Sequence, residues 1–169
     1  MVSRDDDVKL LREIRDSGLL AEQHMSMVTS LDEHVRECLQ RSDSWPFYIY
    51  QAVLAPGLPR YPEGVIDGDT VIVDIDNGLR QWVHGERLRL FGIDAPETFG
   101  DERQDGLEAK EHLLYLVRKY VPDRSCVVRT YQDKRGKYGR YIAELWTTDR
   151  LLCLNALMVA HGYAEWCEY

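Results

Sequence analysis

VIDGDTVIVDIDNGLRQWVHGERLRLFGIDAPE, residues 65–97, decides how the rest of the chain reads. Thr70, Ile72 and Asp74 alternate with Val71, Val73 and Ile75, the period of two expected of a half-buried strand. Gly68 interrupts the run just before it. Asp76-Asn77-Gly78 tolerates positive φ and predicts a tight hairpin turn. The return strand is expected over 86–91, with Arg87 and Arg89 on the face opposite Leu88 and Leu90. Gly92 then permits a bend, and Pro96 stiffens the turn that holds Asp94 and Glu97. Asp67, Asp69 and Thr70 thus stand at one strand junction, and Arg89, Asp94 and Glu97 at the end of the next strand. Carboxylates held close repel one another. A hard divalent cation, calcium or magnesium, relieves that repulsion through carboxylate and carbonyl oxygens. Arg140, further on, offers a second guanidinium for a phosphate.

Upstream, residues 47–54 (FYIYQAVL) are rich in aromatic and β-branched side chains and predict a strand. Residues 55–64 (APGLPRYPEG) hold three prolines and two glycines and read as a loop. Residues 1–45 read as a helical extension ahead of a second domain over 46–169. Val8, Leu11, Ile14, Leu19 and Leu20 give a loose helical stripe, broken at Ser17-Gly18. Ser30-Leu31-Asp32-Glu33 fits a capping box, with Leu31, Val35, Cys38 and Leu39 on one face behind it. Such helices need a surface to pack on, either the rest of the chain or a partner or second copy. Asp5-Asp6-Asp7 reads as a solvated helix start.

Downstream, Asp105-Gly106-Leu107-Glu108 is a capping pattern opening a helix to about Tyr120, with Leu113, Leu114, Leu116 and Val117 inward, and Pro122 ends it. Strands are expected over 126–131 and 138–146 around a turn at 133–137, with Arg140 on the face of Tyr138 and Ile142. A short helix over 155–161 stops at Gly162.

The 21 basic and 29 acidic residues give a net charge of −8, which argues against tight, salt-driven, non-specific binding to nucleic acid. A local positive cleft at Arg89 and Arg140 remains compatible with it. The four cysteines are scattered and read as apolar packing residues in a reducing compartment. No histidine pair has zinc-site spacing. The start, MVSRDDDVKL, has no apolar run, so neither a secretory leader nor a membrane span is expected, and the expected location is cytoplasmic.

Four ordered blocks carry a resemblance: VIDGDT (65–70), RLRLFGIDAPE (87–97), GKYGR (136–140) and LNALMVAHGYA (154–164). With them the sequence resembles the staphylococcal nuclease (thermonuclease) family over residues 47–166. The resemblance implies a mainly β fold with α, a five-stranded OB-fold barrel with packed helices. It also implies a calcium-dependent nuclease that hydrolyses phosphodiester bonds of DNA or RNA and prefers unpaired regions. Asp69, Asp94 and the backbone carbonyl of Ala95 correspond to the calcium ligands, with Asp67 and Thr70 orienting them. The family often has threonine at position 95, but only the carbonyl binds the cation. Glu97 corresponds to the glutamate that handles the attacking water, and Arg89 and Arg140 to the two arginines that stabilise the phosphoryl group. Tyr138, Trp166 and Tyr169 are candidates for stacking on a base, with core packing as the other reading of Trp166.

The sequence departs from that family in its 55–64 loop, in FGDERQDG (99–106) where secreted members carry lysines, and in its early stop. The 1–45 helices are candidates for restraining activity. The competing reading is a non-catalytic OB-fold module that binds single-stranded nucleic acid or protein. Such a module has no need of Arg89, Glu97 and Arg140 beside Asp69 and Asp94.

Overall fold

A computed structural model describes residues 3–33, 36, 47–55, 60, 61, 63–135 and 141–168. Five strands make the frame: β1 (Phe47–Leu54), β3 (Thr70–Asp76), β4 (Trp82–Leu90), β6 (Ser125–Arg135) and β7 (Tyr141–Trp146). They pair in the circular order β1-β3-β4-β7-β6 and back to β1. Every ladder is antiparallel except β4 with β7. This closed barrel is the OB-fold. A short β2 (Val65–Asp67) adds to the edge of β3, and a ribbon of β5 (Ile93–Asp94) with β8 (Glu165–Trp166) stands apart from the barrel. Val71, Val73, Leu88, Leu90, Val127, Val128 and Leu145 are buried in the core.

The alternation read for residues 70–76 is only partly kept, because Thr70 and Ile72 are buried as well as Val71 and Val73. The cause is the preceding segment: Ile72 donates to Gly64 O at 2.6 Å, and its carbonyl accepts from Ala55 at 2.9 Å. The hairpin is wider than the expected tight turn. Gly78, Leu79 and Arg80 all take positive φ, and Asn77 N–H closes onto Gln81 O at 2.9 Å, so β4 starts at Trp82 rather than at 86.

Among the described residues, these helices pack around the barrel: α1 (Arg4–Asp16), α2 (Glu22–Val28), α3 (Arg103–Tyr120) and α4 (Leu154–Ala160). α3 begins two residues before the expected cap at Asp105, because a 3-10 turn over Gly100–Glu102 runs straight into it. α1 is closed by a reciprocal capping box between Ser3 and Asp6. Its Asp7 is fully buried, not solvated. Leu19, read into the apolar stripe, is 89% exposed, and α2 falls between the two helices read within the helical extension over 1–45. Glu33 N–H donates to Ser30 Oγ at 3.3 Å, as the second capping pattern predicts, whereas Val35, Cys38 and Leu39 lie outside the described residues. Leu11, Met27, Val28 and Leu31 share one apolar core with the barrel. Among the described residues no helix is long and apolar enough to cross a membrane.

Candidate active site

Asp69 occupies the turn between β2 and β3, where its carboxylate is almost fully buried. Three donors gather on it. Arg89 Nη1 lies 2.8 Å from both oxygens, Thr70 Oγ1 donates at 3.0 Å, and the Ala95 N–H donates at 3.2 Å. Asp67 Oδ1 accepts from the Asp69 N–H at 3.3 Å and so fixes the turn. The register brings these groups together, since Thr70 pairs with Arg89 across the β3–β4 ladder. Burial pushes the Asp69 carboxyl up to about 7, Arg89 opposes that rise, and nearby Asp67 adds to it. A carboxyl so placed gains from a further cation.

Arg89 reaches a second carboxylate. Its Nη2 pairs with Asp94 Oδ1, so one guanidinium bridges Asp69 and Asp94. Asp94 sits on β5 and is mostly exposed, with 65% of its side chain open to solvent. Ala95 follows directly, packed against small neighbours: a methyl built on Gly68 would lie 2.7 Å from Ala95 Cβ and 2.8 Å from Ala109 Cβ. Glu97 is exposed on the same loop, and its N–H donates to Glu102 at 3.4 Å. α3 presses on this loop through Gly106, where a methyl would lie 2.2 Å from Glu97 O.

Beside the loop opens a cleft of about 440 Å³, lined among others by Asp94, Glu102, Asp105, Glu108, Tyr163 and Glu165. Its walls are strongly acidic, as the sequence FGDERQDG leads one to expect. Among the described residues no three His, Cys, Asp or Glu side chains form a metal cage. The oxygen set that the structure assembles is two carboxylates beside the Ala95 backbone.

Of the residues singled out in sequence, Asp67, Asp69, Thr70, Arg89, Asp94 and Ala95 are joined by hydrogen bonds or ion pairs, and Glu97 stands on the adjoining loop. Trp166 is half-buried on β8, its ring stacked on His24 at 4.6 Å, which fits packing rather than an open base platform. Tyr138, Arg140 and Tyr169 lie outside the described residues. Ile142, two residues after Arg140, pairs with Arg89. Sequence reasoning missed Asn155, whose Nδ2 donates to Phe91 O at 3.0 Å and Ala143 O at 3.2 Å while Oδ1 accepts from Leu145 at 3.0 Å. It ties α4 and β7 to the bend that leads to Asp94. Its presence in a block of the resemblance, LNALMVAHGYA, was the available signal.

Residues 87–169 match the family model described as staphylococcal nuclease homologue. The thermonuclease of Staphylococcus intermedius is 30% identical over 101 residues, covering 60% of this chain and 55% of the relative. The thermonuclease of Staphylococcus hyicus is 29% identical over 104 residues, covering 60% and 54%. The chain thus spans about half the length of the curated relatives it matches. The family match opens at Arg87, so it contains Arg89, Asp94 and Glu97, and the fold supplies what precedes it by setting Asp69 against Arg89. With the closed barrel, these similarities support a staphylococcal nuclease-like family for this chain.

Proposed function

We propose that this chain is a calcium-dependent nuclease that hydrolyses phosphodiester bonds of DNA or RNA, with unpaired strands as its preferred substrate. The observation that carries the reading is the single guanidinium of Arg89 between two carboxylates from different strands, Asp69 and Asp94. The donor set fits a hard cation: two carboxylates and the Ala95 carbonyl are oxygen ligands, with water completing the sphere. A buried Asp69 pushed toward neutrality is a group whose ionised form a cation favours. Calcium, when bound, supplies Lewis-acid polarisation of a phosphoryl oxygen.

The chain's own residues do the rest. Thr70 and the Ala95 N–H hold the Asp69 carboxylate in one orientation. Arg89 presents a planar fork that matches two oxygens of a phosphate as it matches the carboxylates here. Glu97, exposed at the cleft's edge, takes a proton from the water whose oxygen attacks phosphorus. As that bond forms, the bond from phosphorus to the leaving oxygen breaks, and Arg140 neutralises the charge appearing there.

The test is cleavage of single-stranded and duplex DNA, and of RNA, with calcium, with magnesium and with chelator. Calcium-dependent cutting is expected to fall about 10²–10⁴-fold in Glu97→Gln. A folded wild-type chain that binds an oligonucleotide without cutting it under any of these conditions makes it a non-catalytic OB-fold binding module instead.

A further inference from the structure

Residues 3–33 precede the family match at 87–169, yet they reach the ribbon that presents Asp94. That ribbon is slight: β5 and β8 have two residues each, paired as Ile93 with Trp166 and Asp94 with Glu165. Strands so short do not hold position by themselves. The Cys167 N–H donates to Gly92 O at 2.9 Å and extends the pairing by one bond. What lies against this point is α2. His24, 3% exposed, stacks its ring on Trp166 at 4.6 Å, and its Nε2 lies 2.9 Å from the Cys167 carbonyl. A carbonyl only accepts, so Nε2 carries the proton. Met27, fully buried, closes the other side: a methyl built on Gly92 would lie 2.6 Å from Met27 Cε and 3.0 Å from His24 Cδ2. Gly92 also has φ +74, so the bend before Asp94 and the seat for α2 are the same residue.

An apolar side chain at position 24 would fill the space and leave the half-buried Cys167 carbonyl without this donor. Histidine fills it and fixes the level of β8 against β5. We propose that α2 is a clamp on Asp94, with His24 as a positioning residue, so that residues 3–33 complete the site rather than restrain it. This rests on the reading of Asp94 as a cation ligand.

The experiment compares full-length wild type, His24→Ala, His24→Gln and His24→Phe by amide hydrogen exchange and calcium titration calorimetry, beside cleavage kinetics. In His24→Ala, exchange over residues 91–94 and 163–168 is expected to quicken while β3 and β6 keep their protection. Calcium Kd is expected to rise about tenfold, with cleavage lost in kcat rather than KM. His24→Gln keeps a flat group and a donor and is expected to restore most of both. Should His24→Ala not fold, His24→Phe decides, since it keeps the stack and loses only the donor to Cys167. Exchange quickened uniformly across the barrel, or a ribbon and a calcium affinity that stay as in wild type, overturns the clamp. A wild type that neither binds calcium nor cuts sinks the proposed function instead, and the exchange pattern still judges the clamp.

Discussion

A methyl group on Gly106 would meet the Glu97 carbonyl carbon at 2.4 Å, its oxygen at 2.2 Å and the Pro96 oxygen at 2.8 Å. All three are backbone atoms, so nothing can rotate away. Alanine gains about 1 kcal/mol over glycine in a helix interior, but overpacking of this kind typically costs about 1–3 kcal/mol. Gly106→Ala is therefore expected to lower the melting temperature despite better helix propensity. It is also expected to displace the loop of Glu97 and reduce kcat by ten-fold or more, since misplacement by about an ångström costs on the order of 10²-fold. A variant as stable and as active as wild type would show that the contact is not what seats Glu97. The same crowding explains Gly68, which lies between Ala95 and Ala109 with no room for a side chain.

Among the elements, α1 and α3 meet at a polar cluster. Asp7 accepts from Tyr120 Oη, from Lys119 Nζ at 3.1 Å and from His161 Nε2 at 2.8 Å. His161 Nδ1 in turn lies 2.9 Å from His112 Nε2, and the His112 ring stacks on Tyr163, a wall of the cleft, at 3.9 Å. Burial pushes Asp7 up, but the bonds from Tyr120, His161 and Lys119 outweigh it and leave the carboxyl below its ordinary range. Burial, then the facing His161 and Lys119, bring His112 down from 6.5 to about 4, against the pull of Asp7. Between about 4 and 6.5 the unfolded chain therefore binds a proton at His112 that the folded chain does not. Stability falls as pH falls through that window. Asp7 adds its loss lower still, as pH drops through its depressed value. Asp69, raised to about 7, takes up its proton over the same window and works the other way, so the His112 share is read by difference. On going from pH 7 to pH 4.5, His112→Phe is expected to gain melting temperature relative to wild type while keeping a ring on Tyr163. An equal slope in the variant would assign the acid sensitivity elsewhere.

At the scale of the molecule, a net charge of −8 and a cleft lined by Asp94, Glu102, Asp105, Glu108 and Glu165 leave little long-range attraction for a polyanion. Few phosphates are neutralised, so log(kcat/KM) against log salt is expected to have a shallow slope, about −1 to −2. A slope several-fold steeper would reveal a basic track beyond Arg89 and Arg140. The strands around 65–97 were legible because alternation is a local pattern, and RLRLFGIDAPE placed Arg89 and Asp94 five residues apart on one rising turn. Where β4 begins, where α3 starts and how far β3 is buried were not legible, since each depends on a segment packed from elsewhere. By itself the sequence pointed to the barrel class and to a staphylococcal nuclease-like family through the resemblance of four short blocks, which are local patterns, and it offered Asp69, Arg89, Asp94 and Glu97 as candidates. Only the tertiary structure decided that Arg89 bridges both carboxylates, that Asp7 is buried beside Tyr120, and that His24 seats the ribbon of Asp94. The reason is distance along the chain: Asp7 and Tyr120 are 113 residues apart and His24 and Cys167 are 143 apart, and no local pattern encodes which distant partner a buried polar group will find.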